Sequence, residues 1–255
     1  MRLTTIGTGT ISFAPHRVCA GHLVEAGTVR LLMDCGSGVV HRMAERGIDW
    51  WSITHVALTH FHLDHHADLP SLIFAWRYAR IPRRKAPVEI IGPPGTAALV
   101  ERLAAAYGDW VRSPEFPLAV RELAPGERVE LPDGVTIEAR KVPHTEESVA
   151  YSIERGGRRI VYTGDTAFDP SLGVWAEGCD VLLCECSLPD AMAVATHLTP
   201  RQAGAIAAIA SPRLLALTHI YPPLDDVDLA AEVGTLFAGR VEACADGWST
   251  EIEEG

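Results

Sequence analysis

The chain has 255 residues and a formal net charge of −11, from 22 basic and 33 acidic side chains, and 47% of its residues are hydrophobic. That balance suits a globular α/β protein with a large core, and residues 1–255 read as one domain. It excludes a membrane span, since no run of about eighteen apolar residues occurs, and it disfavours long nucleic acid, which an acidic surface repels unless a local basic patch overcomes the repulsion.

The opening segment Met1–Gly7 is broken too early by glycine to serve as a signal peptide, so a cytoplasmic protein is expected. The six cysteines form no C-x-x-C pair, and Cys184 and Cys186 lie in an apolar run, where buried reduced thiols are expected. One basic cluster exists: Arg77, Arg80, Arg83, Arg84 and Lys85. It reads as the solvated end of a helix, where cations suit the macrodipole, with attraction of an anionic substrate as the alternative.

In chain order, Arg2–Gly7, Gly21–Glu25 and Val29–Asp34 read as strands bounded by glycine. A helix over Val39–Arg46 precedes a strand at His55–Thr59, whose unbroken apolar centre marks cover on both faces. A helical pattern runs from about Ala67 to Ala79, then a strand over Val88–Ile91 and a helix over Pro93–Tyr107 closed by Gly108. Strands dominate from about Val120 to Tyr162. The last third alternates: helix Pro170–Glu177, strand Val181–Cys184, helix Pro200–Ala210, strand Leu214–Leu217, helix Val227–Phe237 and strand Val241–Ala245. Two halves of this kind predict two sheets packed face to face with helices outside.

The chemistry concentrates in His60-Phe61-His62-Leu63-Asp64-His65, followed by His66 and Asp68. The cluster starts where a strand gives way to a helix, the place where α/β proteins build sites. Histidine and aspartate without cysteine suit zinc, or manganese or iron, in a catalytic site that keeps positions open for water. Further donors are expected at other strand ends: His144 after the strand Val135–Val142, Asp165 after Ile160–Thr163, and His219 after Leu214–Thr218. Gly164 beside Asp165 lets the backbone approach closely.

This set, His60-x-His62-x-Asp64-His65 with His144, Asp165 and His219 in that order, resembles the metallo-β-lactamase superfamily over almost the whole chain. The resemblance implies a four-layer αββα sandwich. It also implies two divalent metal ions, the first on His60, His62 and His144, the second on Asp64, His65 and His219, with Asp165 bridging. Within the superfamily, Leu183-Cys184-Glu185-Cys186-Ser187, His197-Leu198-Thr199-Pro200 and Leu217-Thr218-His219 are similar to the ribonuclease Z-like branch. There the position of His197 contacts the scissile phosphate and that of Glu185 orients it. A plainer reading leaves His197 beside a helix start capped by Thr196 or Thr199. Only residues 145–164 separate His144 from Asp165, which leaves no room for the long arm with which ribonuclease Z grips transfer RNA.

The implied activity is hydrolysis of small or cyclic phosphodiesters by a hydroxide bridging the metals, with Asp64 positioning it or taking its proton and His197 and Glu185 assisting. The expected partner is a small anionic substrate, and a homodimer is the open assembly state. A lactonase or other carboxylic ester or amide hydrolase is the rival enzyme, and a metal-bound sensing protein the rival outside enzymes. Asp34 and Asp68 are candidate acceptors behind the histidines, and the loops Ser12–Arg17, Trp50–Trp51 and Trp76–Lys85 are candidate pocket walls.

Overall fold

The computed structural model describes residues 1–253. The first sheet holds seven strands in the order β14-β1-β2-β3-β4-β5-β6: Ser249–Glu251, Arg2–Gly7, Gly21–Ala26, Val29–Met33, His55–Ala57, Val88–Gly92 and Leu118–Glu122. The second holds β13-β12-β11-β10-β9-β8-β7: Arg240–Ala243, Leu214–Thr218, Val181–Glu185, Arg158–Tyr162, Val149–Arg155, Thr136–Lys141 and Arg128–Glu130. In each sheet one run of strands pairs in parallel, β3 to β6 in one and β10 to β13 in the other.

Three apolar layers make this the αββα sandwich. Between the sheets lie Leu31, Met33, Ile91, Ile137, Tyr151, Ile153 and Leu183. Outside the first sheet, Met43 of α1 (Val39–Glu45), Trp76 of α3 (Leu69–Tyr78) and Leu99 of α4 (Thr96–Tyr107) cover Leu32, Val56 and Ile90. Outside the second, Leu172 of α5 (Pro170–Trp175), Ile206 of α6 (Pro200–Ala210) and Val233 of α7 (Leu229–Gly234) cover Leu182 and Leu215. β11 and β12 are buried at every position, because helices cover one face and the other sheet covers the other. Each fully buried leucine or isoleucine here stabilises the fold by roughly 1.5–3 kcal/mol.

Several element ends differ from the sequence reading, each for a local reason. The helical pattern over 67–79 is α3, and a separate turn of helix, α2 (Leu63–His66), precedes it; Pro70 in the first turn of α3 has no N–H to continue the ladder from α2. The helix predicted from Pro93 starts at Thr96, after Gly95 turns left-handed at φ 104°. The short strand β14, three exposed or half-buried residues paired with β1, carries no apolar alternation that a sequence reading detects.

The basic cluster is used internally. Arg77 and Arg83 both bond Glu115 at 2.5 Å, and Arg80 lies 5.0 Å from the rings of Trp50 and Trp51. Buried Arg84 donates to the carbonyls of Trp51, Ile53 and Ala86. These contacts fasten the segment to the residues just before β4, at the end of the strand away from the histidines. Trp50–Trp51 and Trp76–Lys85 are therefore not walls of the site, contrary to the sequence reading. All six cysteines are buried and free. Burial, aided by the charge of Asp64, pushes Cys19 up to about 11, and burial pushes Cys179 up to about 12, so neither is a thiolate at neutral pH.

Candidate metal centre

The donors gather at the carboxyl ends of strands from both sheets. His60 and His62 follow β4, Asp64 and His65 open α2, His144 follows β8, Asp165 follows β10 and His219 follows β12. Two non-glycine residues here adopt left-handed backbone, Asp34 at φ 58° and His219 at φ 54°, a strain that tertiary contacts must hold. Gly164, at φ 56°, leaves no space for a side chain, since a Cβ would stand 2.9 Å from that of Thr59.

One group comprises His60, His62, His144 and Asp165, with donor atoms within 4.8 Å of one another. The Nδ1 of His62 lies 3.1 Å from the Nε2 atoms of both His60 and His144, and Asp165 Oδ2 lies 3.8 and 3.7 Å from those same Nε2 atoms. A second group comprises Asp64, His65 and His219. His219 Nε2 stands 3.5 Å from Asp64 Oδ2 and 3.4 Å from Asp165 Oδ2, and His65 Nε2 stands 3.3 Å from Asp165 Oδ1. All nine site residues predicted from sequence, the seven above with Glu185 and His197, meet in one place.

The residues fit a cation. Tetrahedral ligands bound at 2.0–2.1 Å stand ~3.3 Å apart, close to the separations above. His65 Nε2, His219 Nε2 and Asp165 Oδ1 are buried without a hydrogen-bond partner, and they point at one another. Orphaned buried donors and acceptors are costly unless something binds them. The electrostatics agree: although its burial opposes ionisation, Asp165 is held well below the usual carboxylate range by His219 and His65. His65 is pushed well above its ordinary value, again against burial, by Asp165 and Asp34, so the donor set calls for positive charge. Burial, joined by His65, pulls His60 well down and keeps it neutral, as a ligand must be.

Behind the donors, four of the five rings are held by their other nitrogen. His65 Nδ1 bonds Asp34 at 2.8 Å, His60 Nδ1 bonds Thr59 Oγ1 at 3.0 Å, His144 Nδ1 bonds the Thr196 carbonyl at 2.9 Å and His219 Nδ1 bonds Ser187 Oγ at 3.0 Å. Asp34 also accepts from Thr59 and from Tyr162 Oη at 2.9 Å. Asp68 has no such role: its carboxylate accepts from Val40 N–H at 3.0 Å, at the start of α1, which corrects the sequence reading.

Glu185 is fully buried and accepts from Thr166 N–H, Ser187 Oγ and Leu198 N–H. His197 Nδ1 lies 3.2 Å from its Oε2. Burial works against a charged His197, but the Glu185 contact and the charge of Asp165 offset it and push its pKa up. The capping alternative also holds, because Thr199 closes a capping box with Gln202. Capping and pairing with Glu185 are compatible. The sequence assigns no role behind the histidines to Ser187, Thr59 or Thr196, and does not single out Tyr221. Tyr221 stands edge-on to His219 and His197, ring centres 5.8 and 6.2 Å away.

The sequence profile of the Beta-lactamase superfamily domain matches residues 29–220, three quarters of the chain. Ribonuclease Z of Mycobacterium bovis is 31% identical over 278 aligned positions, covering 99% of this chain and 98% of that protein. Among solved structures, the metallo-beta-lactamase fold protein YhfI from Bacillus subtilis superposes with a TM-score of 0.83 at 26% identity, over 98% of both chains. The short form of human tRNase Z gives 0.80 at 23% identity, over 99% of this chain and 100% of that one, a likeness of fold. The chain thus belongs to the beta-lactamase superfamily. Within it, the chain falls in the ribonuclease Z-like branch, without the arm, and is a metal-dependent hydrolase of phosphodiesterase-like kind. Among the described residues, no helix is long and apolar enough to cross a membrane.

Proposed function

We propose that the centre holds two divalent metal ions, zinc first among the candidates, and hydrolyses small or cyclic phosphodiesters. His60, His62 and His144 would hold one ion, Asp64, His65 and His219 the other, with Asp165 serving both. The observation that carries the phosphodiester reading is the Glu185–His197 pair, a buried carboxylate 3.2 Å from the His197 ring beside the centre, whose charge favours the imidazolium form. A carboxylic ester has less use for such a cation than a phosphoryl group, whose charge grows on its oxygens during attack. The name of the Mycobacterium bovis relative supports the same bond type.

When bound, the ions supply a Lewis acid for a phosphoryl oxygen and activate water near neutral pH. The chain does the rest. Asp64 Oδ2, fixed by the Ile11 N–H at 3.1 Å, orients the attacking water and accepts its proton. His197, with Nδ1 on Glu185, presents Nε2 to the phosphate or to the leaving oxygen, which it protonates. Thr166 N–H, Leu198 N–H and Ser187 Oγ hold the Glu185 carboxylate in place, so His197 retains one orientation. The short connection between His144 and Asp165, occupied by β9 and β10 and their turn, favours small substrates over transfer RNA.

The test is turnover of bis(p-nitrophenyl) phosphate by protein reconstituted with zinc or manganese. Turnover that a chelator abolishes is expected. No turnover with two metals bound per chain overturns the reading and brings lactones and esters forward.

A further inference from the structure

The rim of the site has a composition unlike that of a polynucleotide binder. Six segments surround the donors at the carboxyl ends of the strands: residues 8–20, 58–68, 142–148, 163–169, 186–199 and 219–228. Arg17 is the one arginine or lysine in these segments. Its guanidinium is committed to Thr8 Oγ1 at 2.6 Å and the Cys244 carbonyl at 2.7 Å, with Asp225 at 3.4 Å. Lys141, just before the third segment, donates to the carbonyls of Thr145 and Glu146. Against these stand the exposed carboxylates Glu146, Asp190, Asp226 and Asp228, while Asp225 is paired with Arg17 and His16.

The same segments expose large apolar side chains. Ile11 and Phe13 are 48% and 75% exposed, and the Ile11 N–H bond to Asp64 pins their loop to the centre. Leu63 is 64% exposed inside the histidine motif itself. Met192 and Val194 precede His197 in its own loop, both exposed, whereas Phe168 lines a separate cleft with Arg201 and Leu236. Exposed apolar groups collected at a polar site mark a contact surface for a ligand. Carboxylates around that surface penalise every negative charge a substrate carries beyond the phosphate that the metals neutralise.

We propose, resting on the phosphodiesterase reading, that this rim selects a diester whose scissile phosphate is its only negative charge and whose substituent is an uncharged aromatic or aliphatic group. Phe13 and Met192 supply the apolar contact, on opposite sides of the donors in sequence and in separate loops. The carboxylates supply the discrimination against polyanions.

The test compares three p-nitrophenyl phosphodiesters on the metal-loaded protein: methyl, phenyl and 4-carboxyphenyl. All share one leaving group. The phenyl ester is expected to exceed the methyl ester in kcat/KM by about tenfold, as covering one ring face should give. The added carboxylate should cancel most of that gain at low ionic strength, with partial recovery as salt screens it. Phe13→Ser and Met192→Ser should each shrink the phenyl-to-methyl ratio. Equal rates for methyl and phenyl esters, or preference for the carboxyphenyl ester, overturn the inference while the phosphodiesterase reading stands. A ratio unmoved by either substitution overturns its assignment to this rim. Failure to hydrolyse any of the three with both metals bound overturns the reading beneath it as well.

Discussion

The two ends of the sandwich hold different kinds of space. At the amino ends of β4, β5 and β6 a cleft of about 600 Å³ opens between the sheets, lined by Val29, Val88, Leu118, Leu131 and Pro132. Its polar side chains are paired: His55 Nδ1 with Thr54 Oγ1 at 2.7 Å, and Glu89 with Arg121 at 2.7 Å. At the carboxyl ends three buried polar atoms converge with no partner. Chemistry comes from where parallel strands end and their loops turn inward.

If the carboxyl end is a phosphodiesterase centre, the largest effect among the substitutions considered should come from His197→Ala. Its kcat/KM on a phosphodiester should fall by roughly 10²–10⁴, the worth of a positioned acid or base. On a p-nitrophenyl carboxylic ester the loss should be small. Equal losses on both substrates would mean that His197 serves structure alone.

Ser187→Ala should come next. Its hydroxyl donates to Glu185 at 2.5 Å and faces His219 Nδ1 at 3.0 Å, so one side chain orients both the imidazole partner and a metal donor. Removing such a support should weaken metal affinity roughly 10–100-fold, read by titration calorimetry or competition with a chromophoric chelator. Ser187→Thr, which keeps the hydroxyl, should restore most of it.

Ser187 also shows where sequence reading stops. The contiguous His60–His65 run is legible because imidazoles at that spacing have few other uses, and His144, Asp165 and His219 are legible because each ends an apolar strand. A hydroxyl or a carbonyl carries no such signal. Ser187 and the Thr196 carbonyl take their meaning from contacts across 32 and 52 positions, which only the folded sheets bring about. Asp68 shows the opposite error, since a carboxylate next to a histidine motif looked like a support and instead holds a helix start. The layers were legible from buried strands such as Val181–Glu185, while element ends were not, because a single glycine or proline moves them by several residues.

A third effect concerns pH. His22 in β2 is fully buried between the sheets, its ring 4.9 Å from that of Tyr162 and its Nδ1 unpartnered. Burial, with His65 and His219 nearby, pulls its pKa down to about 3. The unfolded chain takes up this proton near pH 6.5 and the folded one only near 3. The stability associated with a neutral His22 is therefore complete above 6.5 and is lost as pH falls from there towards 3. Its worth is of order a few kcal/mol. Denaturant midpoints measured across that window should fall less steeply for His22→Gln than for the unmodified chain.

The smallest effect should come from the cleft at the opposite end. Arg121 is about half exposed, and its pairing with Glu89 resembles other surface ion pairs, which contribute ~0–1 kcal/mol. Arg121→Ala should shift stability by no more than that and leave kcat/KM on bis(p-nitrophenyl) phosphate within about twofold, because β5 and β6, which carry the pair, bear none of the metal donors. A large loss of activity with stability preserved would mean that the two ends are coupled through the first sheet, and the contrast between a paired apolar cleft and an unpaired polar centre would no longer mark which end does the chemistry.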